Sequence, residues 1–128
     1  MITATFASGG PVGDSEDKRP LVMPRFMEAN REANVKVISQ FKALAEKKNC
    51  TTPQLALAWL LKQGHDIVPI PGTKRLKYLE ENWGALAVHL TDEDEVEVRR
   101  FLESAEIAGH YMPPQFESYA FTDTAEET

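Results

Sequence analysis

The sequence predicts an α/β chain that is mostly helical and has one clear strand at about residues 66–71. The first observation is an apolar run at Ile67, Val68 and Ile70, which is too short for a helix and rich in β-branched residues. The second is the Pro-Gly pair that ends this run. The third is the recurrence of apolar residues at helical spacing on both sides of the strand. The chain is therefore organised around a strand, a tight turn and a following helix.

The first two helices are indicated by periodicity and by end signals. A helix from about Arg31 to Lys48 has one apolar face, and Asn49 can adopt the left-handed conformation that ends it. Thr51 and Gln54 have the spacing of a capping box at the start of the next helix. Nearly every residue from Leu55 to Leu61 is apolar, so this second helix is expected to be buried on all sides.

Two more helices follow the strand. We expect one to begin near Lys74, with Thr73 as its N-cap, and to run to about Ala85. The last helix is predicted to begin after Thr91 and to end at about Ser104. The first of these two helices has apolar residues at helical spacing that predict a buried stripe: Leu76, Leu79, Trp83 and Leu86.

The remaining residues are predicted to be largely irregular. Residues 1–30 are expected to form a loop region, with a brief strand possible only at Met1 to Phe6. Residues 31–104 contain the helices and the strand. Residues 105–128 form a polar, acidic tail that is expected to lie over the surface or to be disordered.

Composition limits the class of protein. The 128 residues are enough for one domain, and the hydrophobic content of 42% with 27% charged residues is ordinary for a globular chain. A net charge of −6 argues against a general nucleic-acid or membrane surface. Cys50 is the single cysteine, so no internal disulfide is possible. With no apolar run of membrane-spanning length and no signal-peptide pattern, a cytoplasmic location is expected.

The turn after the strand is the candidate site. A glycine turn that opens into a helix presents free backbone N–H groups and the positive end of the helix dipole to an anion. Lys74, Arg75 and Lys77 add positive charge at this point. A phosphate ligand is the first hypothesis, and the alternative is a strand-to-helix corner whose basic residues are merely solvated.

The sequence offers no set of residues for catalysis or for metal binding. His89 and His110 lack metal-ligand spacing to each other or to acids. His65 lies in a turn without catalytic partners, and Trp59 and Cys50 are better explained by packing. We therefore assign no catalytic residue and no metal ligand.

Four motifs, in this order and spacing, resemble the C-terminal part of the aldo-keto reductases. They are Thr51-x-x-Gln54-Leu-Ala-Leu-Ala-Trp59, Ile67-Val-Pro-Ile-Pro-Gly-Thr73, Glu80-Glu-Asn82 and Leu90-Thr-x-x-Asp94. Pro24-Arg25-Phe26 and Asn34 also fit the cofactor-side loop and following helix of one branch of that family. The resemblance covers the chain from about Phe6 to the tail.

The resemblance implies a (β/α)₈ TIM barrel that reduces aldehydes and ketones with NADPH, and it makes residues 66–71 the eighth strand. Gly72, Thr73 and either Lys74 or Arg75 would then meet the adenosine 2′-phosphate. The residues that would meet the adenine are Glu81 and Asn82. Many members carry an arginine where this chain has Tyr78, so selection of NADPH over NADH would depend on the nearby cations Lys74, Arg75 and Lys77.

The resemblance also implies that the chain is a partial domain, the C-terminal fragment of a barrel. Family members are more than twice as long, and the aspartate, tyrosine, lysine and histidine of their proton transfer have no counterpart here. Tyr78, Tyr111 and Tyr119 do not occupy the family's catalytic position. The chain alone is therefore expected to be inactive.

A lone barrel strand would leave backbone groups unpaired. The expected consequences are a second chain that completes the sheet, a rearrangement of the segment, or marginal stability. Alternatives to an enzyme part are a non-catalytic module that binds a nucleotide or a protein, and an inert truncated product. No nucleic-acid or membrane partner is expected, and the sequence does not indicate the carbonyl substrate.

Overall fold

The computed structural model describes residues 18–119, and most of these residues are helical. The α-helices are α1 (Arg19–Val22), α2 (Glu28–Lys47), α3 (Thr52–Lys62), α4 (Leu76–Trp83) and α5 (Asp92–Ser104). Three short 3₁₀ helices lie at Pro24–Phe26, Gly84–Ala87 and Pro114–Tyr119. The brief strand considered at residues 1–6 and the end of the tail lie outside the described residues.

The predicted strand at residues 66–71 does not form. Within residues 18–119 no segment is a β-strand, and residues 67–73 are irregular. A strand exists only when a neighbouring strand pairs with its backbone, and the described part of the chain offers none. The side chains of Val68 and Ile70 are 78% and 94% exposed, so the apolar run lacks a core to enter. The prediction of one clear strand was therefore wrong.

The core lies between α2, α3 and α5. Phe41, Ala45, Leu55 and Val98 are buried and in mutual contact, and the rings of Phe41 and Phe101 stack with centroids 5.5 Å apart. Leu55 has no exposed surface at all. Burial of such side chains supplies the main stabilising free energy of a small helical unit. The apolar face predicted for α2 is confirmed by this packing.

The predicted helix ends are confirmed at three places. The Thr51 hydroxyl accepts a hydrogen bond from the Gln54 N–H (3.4 Å), and the Gln54 carboxamide oxygen accepts one from the Thr51 N–H (3.0 Å). Thr91 and Asp94 make the same reciprocal pair at the start of α5. Asn49 follows α2 with a φ of 51°, in the left-handed region. The sequence alone predicted these helix ends because each depends on residues close together in the chain.

Ion pairs connect α5 to the end of α2. The Lys47 ammonium lies 2.6 Å from the Glu97 carboxylate, and Lys48 pairs with Asp94. The hydrogen bond from Lys48, together with the backbone N–H of Thr91, holds the pKa of Asp94 below its ordinary value. Asp94 is buried, so its pair matters more for the position of α5 than the exposed pair of Lys47 does.

Two predicted apolar surfaces are not buried. In α3, Leu55 and Ala58 are buried, but Leu60 and Leu61 remain 39% and 38% exposed. The prediction that α3 is buried on all sides was therefore wrong for one face. The prediction of a buried stripe on α4 and the 3₁₀ helix that follows it was wrong throughout, because all of its members are exposed: Leu76, Leu79, Trp83 and Leu86. Helical periodicity identifies an apolar face, whereas burial also requires an element to cover it.

A buried amide joins the beginning of α2 to the chain after α5. Asn34 is fully buried, and its side-chain NH₂ donates to the carbonyl oxygens of Arg25 (3.0 Å) and Ala108 (2.9 Å). Its side-chain oxygen accepts from the N–H of Ala108 at 2.8 Å. Asn34 thus pairs with both polar backbone groups of Ala108, as a neighbouring strand would.

The turn next to this amide is closely packed. The Arg25 Nε donates to the carbonyl oxygen of Gly109 at 3.2 Å. Gly109 has a φ of +81°, and a Cβ at this position would lie 2.8 Å from the carbonyl oxygen of Pro24. Glycine is needed here both for the backbone conformation and for the close approach of Pro24.

Residues 18–119 include no helix with the length and apolar character that crossing a lipid bilayer would require.

Candidate phosphate-binding site

The loop before α4 lines a shallow depression on the surface. Its volume is about 440 Å³, and its lining residues are Gly72, Thr73, Lys74, Arg75 and Tyr78. Four of these are consecutive, and the fifth lies on the first turn of α4. The structure therefore brings together the first four residues that the sequence predicted as a phosphate site.

The start of α4 differs from the prediction. The helix begins at Leu76 with Arg75 at the N-cap position, and no side chain caps it. The Thr73 hydroxyl instead accepts from the Arg75 N–H (3.3 Å) and donates to the Arg75 carbonyl oxygen (3.2 Å). Such a local turn competes with capping, so the prediction of a helix near Lys74 capped by Thr73 was wrong. The first N–H groups of α4 are left without an intrahelical acceptor.

Positive charge surrounds this helix start. Lys74, Arg75 and Lys77 are exposed, and within the described part of the chain none of the three forms an ion pair. The chain as a whole has a net charge of −6, so these cations form a local positive area on an acidic protein. Unpaired cations beside free N–H groups are suited to an anion.

Gly72 leaves the backbone of the loop accessible to a ligand. Apart from Gly72 itself and its two neighbours in the chain, no described atom lies within 4 Å of the position that a Cβ would occupy at Gly72. A ligand could therefore contact the backbone of Gly72 directly, which a larger side chain would hinder.

The two residues predicted to meet an adenine lie one turn further along α4. Glu81 and Asn82 are three and four residues after Tyr78, so all three side chains project from neighbouring positions on one helix face. Both are half-buried, but neither lines the depression. The structure thus places Glu81 and Asn82 next to the depression and not within it.

Two contributions were missed by the sequence reasoning. Tyr78 lines the depression, although it was noted only as a departure from a family pattern; its position three residues after Arg75 was the available signal. Gln54 donates from Nε2 to the carbonyl oxygen of Glu81 at 3.0 Å and so joins α4 to α3. The sequence indicated only the capping role of Gln54, in which the side-chain oxygen accepts a hydrogen bond. The side-chain NH₂ group remains able to donate, and it makes the bond to Glu81.

Tyr111, one of the tyrosines that the sequence did not assign to catalysis, lies beside an imidazole ring and a guanidinium group. Tyr111 lies beside His110, with ring centroids 5.0 Å apart, and the Arg25 guanidinium lies 5.7 Å from the centre of the Tyr111 ring. Within residues 18–119 no three histidine, cysteine or acidic side chains are grouped as metal ligands would be. The side chain of Tyr119 lies outside the described part of the structure. The assignment of no catalytic residue stays a prediction.

Comparison with known proteins identifies the family. The model of the Aldo/keto reductase family matches residues 2–103, which is most of the chain. The chain therefore belongs to the aldo/keto reductase family, as the ordered motifs predicted. The family's fold is a TIM barrel. Residues 18–119 of this chain form helices and no β-strand.

Several curated relatives support this assignment. The aldo-keto reductase yakc of Schizosaccharomyces pombe, whose name specifies NADP(+), is 46% identical over 114 residues, which is 89% of this chain and 32% of that protein. The aldo-keto reductase str7 of Strobilurus tenacellus is 38% identical over 85% of this chain and 32% of its own length. The probable aldo-keto reductase 1 of Glycine max is 44% identical over 67% of this chain and 25% of its own length. The chain spans about a third of the length of the first two relatives.

Proposed function

We propose that this chain supplies the NADP(H)-binding part of an oxidoreductase that reduces aldehydes or ketones. The observation that carries the proposal is the positively charged depression formed by the loop before α4. Family membership and the NADP(+) in the name of one relative support the choice of cofactor. Bound NADPH would supply a hydride to a carbonyl carbon.

The residues of the loop fit the 2′-phosphate of this cofactor. In our proposal the phosphate lies at the start of α4, where the backbone at Gly72 is accessible. The hydrogen bond between the Thr73 hydroxyl and the Arg75 N–H stabilises the turn there. Lys74 and Arg75 would then neutralise its charge, and the N-terminal end of the helix dipole would add to this attraction. A dianionic phosphate gains from each of these contacts, whereas a ribose hydroxyl gains little. The arrangement would therefore select NADP(H) over NAD(H).

The adenine is proposed to lie further along the same helix face. Glu81 and Asn82 offer a carboxylate and a carboxamide one turn beyond the depression, and the Tyr78 ring between them and the loop provides an apolar wall. The hydrogen bond from Gln54 to the Glu81 backbone keeps this part of α4 in place against α3. Gln54 would thus act as a positioning residue.

Proton transfer is proposed to depend on groups outside these residues. Hydride addition to a carbonyl leaves an alkoxide, which needs a proton donor held close to it. In our proposal Tyr78 lies at the phosphate loop and does not act as this proton donor. Tyr111 lies against Arg25 and His110, and we do not assign it this role either. We therefore propose that carbonyl reduction requires the part of the family fold that this chain does not match.

The proposal predicts that the double substitution of Lys74 and Arg75 by alanine weakens NADPH binding by about tenfold and changes NADH binding by less than about twofold. The reason is that charge-assisted contacts act on the 2′-phosphate, which only NADPH carries. Dissociation constants for both cofactors can be measured by titration of the cofactor fluorescence.

The matched control for this experiment is the double substitution of Lys36 and Lys42 by alanine. These lysines are also exposed, but they lie on α2 and pair with glutamates of that helix. The control removes the same formal charge and is expected to leave both affinities within about twofold, since exposed pairs contribute little. An equal loss of NADPH and NADH binding in the Lys74 and Arg75 variant would contradict a 2′-phosphate site.

A second candidate is a non-catalytic protein-interaction module. The exposed apolar side chains before and along α4 favour it, because contiguous apolar patches of this kind commonly mark contacts with another protein. The two candidate functions are compatible if the protein that contacts these apolar side chains supplies the rest of the reductase fold.

A further inference from the structure

Gly84, the first residue after α4, lies against the side chain of Gln54 on α3. A Cβ at Gly84 would overlap Gln54 Nε2 and would lie 3.5 Å from Gln54 Cδ. We propose that Gly84 is a positioning residue for the adenine of the cofactor, because its lack of a side chain allows Gln54 to hold the adenine end of α4. The inference rests on the proposed function, which places the adenine at this end of the helix.

The carboxamide of Gln54 uses both its oxygen and its NH₂ group. The oxygen accepts from the Thr51 N–H at 3.0 Å, and Nε2 donates to the Glu81 carbonyl oxygen at 3.0 Å. The first bond fixes the direction of the amide, so the NH₂ group is held toward the last turn of α4. Carbonyl oxygens in a last helical turn need donors from outside the helix, and Gln54 supplies one to Glu81. The bond therefore connects the start of α3 to the end of α4.

The space at Gly84 decides whether this bond can form. Gly84 has a φ of −59° and a ψ of −17°, which lie in the right-handed helical region. Alanine is more favourable than glycine in that conformation, so Gly84→Ala introduces no backbone strain. The methyl group would instead displace the carboxamide of Gln54, which is the end of a flexible side chain. A substitution that favours helix locally is thus expected to release the end of α4.

Release of this end would affect the part of the site that NADPH and NADH share. Glu81 and Asn82, the proposed adenine contacts, include and follow the carbonyl group that Gln54 holds. Arg75 lies six residues before Glu81, which corresponds to about 9 Å along a helix. Both cofactors carry the adenine, whereas the 2′-phosphate belongs to NADPH alone. Gly84 and Gln54 are therefore expected to set the affinity for both cofactors, and the loop before α4 the choice between them.

The test compares two variants of the full chain that lose the Gln54 bond in different ways. Gly84→Ala displaces the amide without a change of charge. Gln54→Glu keeps an oxygen for the Thr51 N–H but removes the donor to Glu81. We expect each variant to weaken NADPH and NADH binding by about fivefold, so that the ratio of the two affinities stays within about twofold. Dissociation constants are measured by titration of the cofactor fluorescence.

Amide hydrogen exchange followed by mass spectrometry reports on α4 without a cofactor. Exchange at residues 79–84 should be at least about threefold faster in both variants, because opening of this segment no longer has to break the Gln54 bond. Exchange in α5 should stay within about twofold of the unchanged chain. Gln40→Glu is the matched control for charge, since Gln40 is exposed on α2. This control should leave both affinities and the exchange of α4 unchanged.

A double-variant cycle tests whether Gly84 acts through Gln54. In a chain that already carries Gln54→Ala, the addition of Gly84→Ala should change both affinities by less than about twofold, because no amide remains to be displaced. A further loss as large as the one that Gly84→Ala causes in the unchanged chain would overturn the proposal.

Two other results would also overturn the positioning role. They are α4 exchange and affinities equal to those of the Gln40→Glu control, and a loss of NADPH binding with NADH binding unchanged. An unchanged chain that binds neither cofactor, or that binds both equally, would refute the proposed function. The exchange of α4 then decides by itself whether Gly84 and Gln54 fix the end of the helix, so the two failures are distinguishable.

Discussion

Replacing Asn34 with alanine is expected to lower the free energy of unfolding by about 3 kcal/mol. Three hydrogen bonds are lost, and the carbonyl oxygen and N–H of Ala108 lose the partner that satisfies them. The carbonyl oxygen of Arg25 also loses its donor. Because Asn34 has no exposed surface, water does not replace these bonds without rearrangement. The effect therefore exceeds that of an average hydrogen bond.

Urea denaturation followed by far-ultraviolet circular dichroism measures this change. Ser39→Ala is the control, because Ser39 lies on the same helix, is exposed, and donates only to the Val35 carbonyl oxygen one turn earlier. It should change the unfolding free energy by less than about 0.5 kcal/mol. If the Asn34 variant were as stable as the Ser39 variant, the connection between α2 and the segment after α5 would not contribute to the fold.

Replacing Leu55 with alanine is also expected to cost about 3 kcal/mol. Leu55 is fully buried where α2, α3 and α5 meet, and its removal leaves a cavity next to Phe41 and Val98. The loss combines the transfer of apolar surface with the empty volume that the neighbours do not fill.

The matched variant for this position is Leu60→Ala, on the same helix. Leu60 is 39% exposed, so its truncation should cost less than about 1 kcal/mol. The two variants are compared by their denaturation midpoints under identical conditions. Equal losses at both positions would show that the face bearing Leu60 is covered in solution, for example by self-association, and that the described core is not the complete one.

The sequence predicted the elements whose causes are local. Thr51 with Gln54 and Thr91 with Asp94 are capping pairs three residues apart, and Asn49 ends α2 through its own backbone conformation. Each of these features depends on a few neighbouring residues, so a single sequence contains the whole cause.

The predictions that failed concerned surfaces that need a distant partner. The apolar run at Ile67 to Ile70 has the composition of a strand, but strand formation requires hydrogen bonds to another strand. The stripe of α4 has helical spacing, yet Trp83 is 73% exposed because no described element covers it. Pattern predicts which face is apolar, and the presence of a covering element decides whether that face is buried.

The candidate site shows the same division. Gly72 to Arg75 are consecutive, so their grouping could be predicted directly from the sequence. Other hydrogen bonds of the fold join residues far apart in the chain: Gln54 to Glu81 across 27 positions, next to the site, and Asn34 to Ala108 across 74. No periodicity or motif reports such pairs, since the fold alone brings them together. Only the structure identifies these two hydrogen bonds.

Thermal unfolding in the presence of each cofactor is the most direct test of whether the loop before α4 recognises a 2′-phosphate. NADPH at about a hundred times its dissociation constant should stabilise the chain by roughly 2.7 kcal/mol, which raises the melting temperature by several degrees. The same concentration of NADH should raise it much less, because it lacks the phosphate that Lys74 and Arg75 attract. Equal shifts with the two cofactors, or no shift with either, would contradict the claim.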